Sequence, residues 1–149
     1  VQVGGREEKI ERLHEMLLQE SFRKVLVFSK TKHGAEKLAR ALFERGFKAG
    51  AIHGDLSQGQ RERSLAKFRG DHMRVLVATD VAARGLDIDG VTHVINYDLP
   101  MTYEDYIHRI GRTGRGANIG YAFTFVEKFE MESQSSDSRT FAPRGRRYR

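Results

Sequence analysis

Two short apolar runs place the tightest limit on how this chain can fold. The runs Val25–Phe28 and Arg74–Ala78 are compact and rich in valine, and polar residues border them. Such runs are typical of strands that are covered on both faces, as in a parallel sheet. Further strands are predicted at Phe47–Ile52, Val91–Tyr97 and Tyr121–Val126.

Helical periodicity fills the intervals between these strands. A helix that starts at Arg6 has one apolar face, made of Ile10, Leu13, Leu17 and Leu18. A second helix, which Gly46 ends, has an apolar face made of Ala35, Leu38, Ala39, Leu42 and Phe43. A third is predicted at Ser57–Phe68, and Thr102 can cap a short fourth. Strands and helices in this alternation predict an α/β fold with a doubly wound, mostly parallel sheet and helices on both faces.

The composition divides the chain into a domain and a tail. A chain of 149 residues is one domain by default, and residues 1–132 carry the periodic patterns. Residues 133–149 are rich in serine, arginine and glycine, and their five arginines and one acid provide most of the net charge of +6. We expect this basic tail to be disordered. The basic surplus fits either a polyanionic partner such as nucleic acid or a merely solubilising surface.

Several classes of protein are excluded or disfavoured. The chain has no cysteine, which excludes a disulfide scaffold, a thiol nucleophile and a cysteine-based zinc site. Its six histidines show no metal-ligand spacing, so no metal site is predicted. No apolar run approaches the length of a membrane span, and no signal peptide is visible. We therefore expect a soluble protein in a reducing, cytoplasmic compartment.

Polar stretches follow the predicted strands, where ligands of such sheets bind, namely Ser29–Lys32, His53–Asp55, Thr79–Asp87 and Asp98–Pro100. In Thr79–Asp87, Thr79 can donate to a phosphate, Asp87 can accept from a ribose hydroxyl, and Arg84 can pair with an acid or a phosphate. The alternative is purely structural: Asp80 caps a helix and Gly85 ends it.

Two further stretches of this kind are ambiguous when read alone. In His53–Arg61, Arg61 can hold a phosphate or pair with Asp80, and a capped helix start explains the same residues. In Ser29–Lys32, hydroxyls and cations stand at a helix start, where backbone donors favour an anion. Ordinary helix capping is the alternative there.

The stretch His108–Arg115 is the least expected on packing grounds. It places arginines at 109, 112 and 115, with glycines at 111 and 114 between them. Arginine matches phosphate oxygens two at a time, and glycine allows the backbone to approach closely. Such a loop can clamp a polyphosphate, and a basic turn that only aids solubility is the alternative. No Walker-type loop, the usual phosphate cradle, occurs in the chain.

Together these stretches resemble DEAD-box RNA helicases. The segments Val25–Lys32, His53–Arg61, Val77–Ile88 and His108–Arg115 are similar to motif IV, the Gln-x-x-Arg motif, motif V and motif VI, in the family's order. The resemblance covers about Val25–Val126 and implies the second, C-terminal RecA-like domain of such a helicase. The first domain, with the Walker loop and the Asp-Glu-Ala-Asp box, has no counterpart in the sequence.

The resemblance also implies roles for single residues in ATP hydrolysis. Arg112 and Arg115 would act as arginine fingers on ATP that the first domain binds. Asp87 and Gly85 would contact the nucleotide, with Asp87 on the ribose, and His108 would couple the nucleotide to the facing domain. The chain itself carries no metal ligands by this comparison, since Mg²⁺ would be held by the first domain.

The same resemblance implies contacts with RNA. Phosphates would be held by five residues: Arg61, Thr79, Gly85, Thr31 and Lys32. Phosphate contacts carry little sequence information, so binding would be sequence-tolerant. The implied function is ATP-driven closure of two domains that locally unwinds RNA. Two alternatives stay open, namely a non-catalytic module that binds RNA or a protein through the same face, and a DNA-directed relative.

Overall fold

The computed structural model describes residues 1–84, 88, 90–100, 102, 104, 108, 109, 120–127 and 146–148. Its strands are β1 (Gln2–Val3), β2 (Val25–Phe28), β3 (Ala49–Ile52), β4 (Val75–Ala78), β5 (His93–Asn96), β6 (Gly120–Thr124), β7 (Val126–Glu127) and β8 (Arg146–Tyr148). Its helices are α1 (Arg6–Leu17), α2 (Lys32–Glu44), α3 (Gln58–Arg69) and α4 (Asp80–Ala83).

One sheet organises the described residues. Its strand order is β3-β4-β2-β5-β6-β8, and every neighbouring pair is parallel except β6 with β8. A second, two-stranded sheet pairs β1 with β7 in parallel. The order places β2 at the centre, with strands from later in the chain added on both sides. This arrangement confirms the predicted doubly wound, mostly parallel sheet.

Alternate residues of the central strands point into two separate cores. Val25 and Val27 of β2 pack with α1 and α2 on one face of the sheet. Leu26 and Phe28 pack with α3 and α4 on the other face. Since successive side chains of a strand point to opposite faces, both sets are buried, and this is why β2 and β4 are apolar at every position.

Local capping fixes where two of the helices begin. The Thr31 hydroxyl accepts a hydrogen bond from the Gly34 N–H and caps α2. Ser57 and Gln60 form a reciprocal capping box at the start of α3, with hydrogen bonds of 3.2 and 2.8 Å. At the far end of α2, Gly46 has a φ of 94°, the left-handed conformation that glycine adopts without strain. The capping interpretation of Thr31 and of the α3 start is therefore confirmed.

The prediction that Leu18 and Phe43 belong to the apolar helix faces is wrong. Leu18 and Phe43 are each 66% exposed. Leu18 lies one residue beyond the end of α1, and Met16 is buried in its place. Phe43 lies beside the stripe of buried α2 residues, and Phe47 from the following loop joins that core instead. Helical periodicity places both residues near the core but does not fix the last turn.

The predicted disorder of the tail does not hold for Arg146–Tyr148. These residues form β8, which pairs antiparallel with Gly120–Ala122 of β6. Without β8, β6 would be an edge strand, and an unpaired strand edge offers a row of backbone donors and acceptors. That backbone complementarity is independent of side-chain type, so composition alone did not indicate it. The remainder of the tail lies outside the described residues.

Arg74, which is partly buried, and the buried His93 close the amino-terminal end of the sheet. The Arg74 guanidinium donates to the carbonyl oxygens of Leu17, Gln19 and Phe22, which follow or end α1. Burial lowers the pKa of Arg74. The ring of His93 stacks on Phe22 with centroids 3.7 Å apart and an interplanar angle of 16°. Burial lowers the pKa of His93 to about 4.

Because of His93, the domain should become less stable as the pH is lowered. Because its pKa is about 4 in the folded protein and 6.5 ordinarily, the unfolded chain binds a proton in this range that the folded protein excludes. The contribution is complete above pH 6.5 and is lost as the pH falls towards 4. His93→Phe should therefore flatten the decline of the melting temperature between pH 7 and pH 4.5. Replacing the exposed His72 in the same way is the matched control, and equal slopes in all three proteins would contradict the assignment.

Candidate functional site

The carboxyl ends of five strands meet along one edge of the sheet. The register pairs Phe28 with Ala78 and with Asn96, and it pairs Ile52 with Ala78 and Asn96 with Thr124. The polar stretches that follow these strands therefore share one edge, called here the carboxyl edge. The sequence predicted this convergence for Ser29–Lys32, His53–Asp55, Thr79–Asp87 and Asp98–Pro100.

Arg109 is buried at the carboxyl edge and is not free to meet a phosphate. Its side chain is 1% exposed. Its Nε and Nη2 donate to the two carboxylate oxygens of Asp80 at 2.6 and 2.7 Å, and its guanidinium lies 5.0 Å from the ring centroid of Phe28. Within the stretch that can clamp a polyphosphate, Arg109 therefore serves the fold and not a ligand. Two parallel hydrogen bonds fix this side chain more firmly than a point contact would.

The remaining donors of Arg109 bind the strands beside Asp80. Its Nη1 donates to the main-chain oxygen of Asp98 at 2.7 Å and to Oδ1 of Asn96 at 3.4 Å. The Asn96 side chain donates in turn to the Thr124 hydroxyl at 3.0 Å. Arg109 thus joins the end of β4 to the ends of β5 and β6.

Asp98 forms a second centre of hydrogen bonds on the same edge. Its Oδ2 accepts from the Lys30 N–H at 2.8 Å and from the Ser29 hydroxyl at 3.3 Å, and its Oδ1 accepts from the Lys9 ammonium at 3.2 Å. Lys9 comes from α1 and is 5% exposed. Its ammonium also lies 5.0 Å from the ring centroid of Tyr97. A buried lysine and a carboxylate therefore balance each other beneath the segment that follows β2.

Two structural alternatives for Asp80 and Arg61 are wrong. Thr79, not Asp80, is the N-cap residue of α4. The Asp80 carboxylate is occupied by Arg109. For the same reason Arg61 does not pair with Asp80. Its Nη2 lies 3.5 Å from the Ala82 main-chain oxygen, a long contact that leaves the guanidinium near the edge.

The Thr79 hydroxyl has no structural task at its helix start. It makes no capping hydrogen bond with α4. Thr79 is half-buried, and Arg84 at the other end of α4 is exposed.

Lys32 and His53 link α2 to the loop that follows β3. The Lys32 ammonium lies 2.9 Å from Oδ2 of Asp55, and both side chains are about half exposed or more. The hydrogen bond and charge of Lys32 lower the pKa of Asp55. His53 is buried: its Nδ1 accepts from the Asp55 N–H at 3.2 Å, so its Nε2 carries the proton and donates to Glu36 at 2.7 Å. These contacts connect the start of α2 with the loop that follows β3.

The nucleotide side of the predicted site is described only in part. His108 and Arg109 are helical, and the His108 side chain is 59% exposed, with Nε2 4.0 Å from a Glu104 oxygen. Four predicted residues lie outside the described residues, namely Gly85, Asp87, Arg112 and Arg115. Their assigned roles stay predictions.

The opposite edge of the sheet carries a shallow depression of about 350 Å³. It is lined by the cations Arg23, Lys48 and Arg74 and the acid Asp71. The described residues contain no group of three or more His, Asp or Glu side chains placed to share a metal ion. Within the same part of the chain, every helix is too short or too polar to span a bilayer.

Three residues of the carboxyl edge, Asn96, Asp98 and Lys9, were missed or given no role in the sequence analysis. Asn96 ends the buried strand β5, and a polar residue in a buried strand is a signal that it has a buried partner. Asp98 belonged to a stretch marked for its position, without a role. Lys9 gave no signal, because a lysine in the first half of an amphipathic helix is usually solvated.

Comparison with known proteins identifies relatives of the whole arrangement. The family model described as the helicase conserved C-terminal domain matches residues 8–117. The ATP-dependent RNA helicase CshA of Listeria monocytogenes is 52% identical over 124 residues, which cover 83% of this chain and 24% of that protein. CshA of Limosilactobacillus reuteri is 51% identical over 107 residues, which cover 72% of this chain and 22% of that protein.

Solved structures agree with the fold. The Escherichia coli DEAD-box protein SrmB, in a complex with regulator of ribonuclease activity A, has a TM-score of 0.87 and 34% identity, over 96% of this chain and 84% of that chain. A DEAD-box protein from Methanococcus jannaschii has a TM-score of 0.81 and 43% identity, over 91% of this chain and 37% of that chain. Saccharomyces cerevisiae Dbp5 bound to RNA and ADP BeF3 has a TM-score of 0.78 and 33% identity, over 96% and 40%. These likenesses confirm the RecA-like fold class.

Replacing Arg109 by alanine should destabilise the domain. The change leaves Asp80 without its counter-charge, which costs about 3 kcal/mol, the lower end of the range for breaking a buried pair. The lower end applies because a quarter of the Asp80 side chain is exposed. Urea unfolding followed by circular dichroism measures the effect. Arg12→Ala, which removes an exposed pair with Glu15, is the control and should change stability by less than about 0.5 kcal/mol. Similar losses for the two variants would show that the Arg109 pair is not structural.

Proposed function

This chain belongs to the helicase conserved C-terminal domain family, as the second RecA-like domain of a DEAD-box RNA helicase, and from that premise we propose that it is the C-terminal half of an ATP-dependent RNA helicase. The chain spans about a quarter of the length of the curated relatives, with 24% and 22% covered. The activity is accordingly proposed for the chain together with a first domain that binds ATP and Mg²⁺. A cytoplasmic location is part of the proposal.

The observation that carries this proposal is the anchoring of Arg109 at the carboxyl edge. Arg109 begins the arginine stretch, and its bidentate bond to Asp80 ties that stretch to the segment that starts at Thr79. The two segments assigned to nucleotide and to RNA therefore share one buried ion pair. A solubilising basic turn would have no reason to bury its first arginine.

The nucleotide side of the proposal assigns Arg112 and Arg115 as arginine fingers. Arg112 and Arg115 follow the fixed Arg109 by three and six residues in the sequence. Arginine fingers stabilise the charge that develops on the transferred phosphoryl group and contribute roughly 10³–10⁵ in rate. Asp87 holds the ribose, Gly85 lies beside the nucleotide, and the exposed His108 couples the nucleotide to the first domain.

The RNA side of the proposal uses residues that follow β2, β3 and β4. Thr31 and Lys32 stand at the amino end of α2, where helix N–H groups and the helix dipole favour a phosphate. The Lys32–Asp55 pair is exposed, and such pairs are weak enough for a phosphate to displace the carboxylate. Arg61, Thr79 and Gly85 complete the phosphate contacts. Binding through phosphates is sequence-tolerant and weakens as salt rises.

The proposed mechanism depends on having the nucleotide contacts and the RNA contacts on the same edge of the sheet. RNA and ATP both bind between this edge and the first domain, so closure brings the fingers to the γ-phosphate only when both ligands are in place. The closed form bends one RNA strand and expels its partner. Hydrolysis removes the contact that the fingers make, and the domains separate. Pre-organised charge at the edge lowers the barrier without rearrangement at the moment of reaction.

Restoring a first domain tests the finger assignment. The chain is grafted in place of the matching region of Listeria monocytogenes CshA, and RNA-stimulated ATP hydrolysis is measured. Arg112→Ala or Arg115→Ala should lower the rate by about 10² or more, because each removes charge stabilisation from the transition state. The melting temperature of the chain should hardly change, and Arg12→Ala should leave the rate unchanged.

Two controls complete this experiment. The chain without a first domain should hydrolyse ATP only at background, because it has no phosphate cradle. A graft that binds RNA but never hydrolyses ATP would favour the alternative, a non-catalytic binding module. Full hydrolysis by the Arg112 and Arg115 variants would refute their role as fingers.

A further inference from the structure

Each of the three oxygens of Asp98 accepts a hydrogen bond, and the donors come from three other parts of the fold. Its side chain accepts from Lys30 N–H at 2.8 Å, from the Ser29 hydroxyl at 3.3 Å and from the Lys9 ammonium at 3.2 Å. Its main-chain oxygen accepts from Arg109 at 2.7 Å. The carboxylate is about one-third exposed, and donors occupy both of its oxygens.

The segment that Asp98 holds is the one that presents Thr31 and Lys32. Ser29 is 2% exposed, while the next three residues are exposed. The segment is also closely packed from the other side: a Cβ added at Gly34 would lie 2.8 Å from the Ser29 hydroxyl oxygen and 3.0 Å from that of Thr31. The backbone between β2 and α2 is therefore fixed by Gly34 on one side and by the Asp98 carboxylate on the other.

We propose that Asp98 is a positioning residue for RNA binding, which holds the Lys30 backbone so that Thr31 and Lys32 are presented in a fixed geometry. Lys9 supplies the buried counter-charge to the carboxylate, at 3.2 Å from Oδ1. The main-chain oxygen of Asp98 also accepts a hydrogen bond from Arg109. Asp98 therefore contacts both the proposed RNA-binding segment and the start of the arginine stretch. This inference rests on the proposed function, because it assumes that Thr31 and Lys32 contact phosphates.

Loss of the carboxylate should act on RNA affinity more than on turnover. Without the bond to Lys30, the segment between β2 and α2 is less ordered before RNA binds. RNA binding must then order it, and the loss of conformational entropy weakens the binding free energy. The contact to Arg109 is made by the main chain and survives the substitution. The arginine stretch therefore keeps its anchor to Asp80 and to residue 98.

The test compares Asp98→Ala with Asp98→Asn. Fluorescence anisotropy gives the affinity of the chain for a labelled single-stranded RNA of mixed sequence, and the CshA graft gives the kcat and the RNA concentration for half-maximal ATP hydrolysis. Asp98→Ala should weaken RNA binding and raise the half-maximal concentration by about tenfold, with kcat within about twofold. Asp98→Asn keeps an oxygen that can accept from Lys30 N–H, so it should recover affinity to within about threefold. Asp71→Ala removes a carboxylate from the opposite edge and should change neither quantity.

Each outcome decides the matter. Unchanged RNA affinity in folded Asp98→Ala overturns the proposal, and so does a loss of kcat with unchanged half-maximal RNA. Equal losses in the alanine and asparagine variants also overturn it, because they show that charge alone matters. RNA binding by the chain is measured without ATP, so a graft with no RNA-stimulated hydrolysis would refute the proposed function and leave the test of Asp98 standing.

Discussion

The buried pair of Arg109 and Asp80 is the interaction on which the carboxyl edge depends. A guanidinium that is 1% exposed is tolerated only when its donors are satisfied, and here the acceptors come from Asp80, Asn96 and Asp98. Those acceptors end or follow the strands β4 and β5, and the register of the parallel sheet places the carboxyl ends of both strands at the same edge. The pair can form only in the correctly wound sheet, so it links the fold to the position of the site.

Charge is distributed over this edge in two layers. In the inner layer, Lys9 and Arg109 are neutralised by Asp98 and Asp80, so the interior contributes little net field. In the outer layer, Lys32 is exposed and only loosely paired with Asp55. In the proposed function, RNA therefore meets exposed and weakly paired surface cations on an internally balanced support. The inner ion pairs hold the edge in place, while the outer Lys32–Asp55 pair is weak enough to exchange its carboxylate for a phosphate.

Sequence reasoning predicted the elements better than it predicted the partners of polar residues. The strands and long helices follow from local periodicity, and their parallel order brings the polar stretches together. Arg109, Arg112 and Arg115 are chemically identical, so no local pattern could show that the first is buried by Asp80, which lies 29 residues away in the chain. Lys9 and Asp98 are 89 residues apart, and their contact depends on how α1 packs against the sheet. Exposure of Leu18 and Phe43 likewise depends on where each helix ends.

The most direct test of the account asks which edge of the sheet meets RNA. Amide chemical shifts of the isotopically labelled chain are followed while single-stranded RNA of mixed sequence is added. We expect the changes to concentrate at Thr31, Lys32, Arg61 and Thr79 and to diminish as salt rises. Changes confined to the cationic depression around Arg23 and Lys48 at the opposite edge, with the carboxyl edge unmoved, would contradict this expectation.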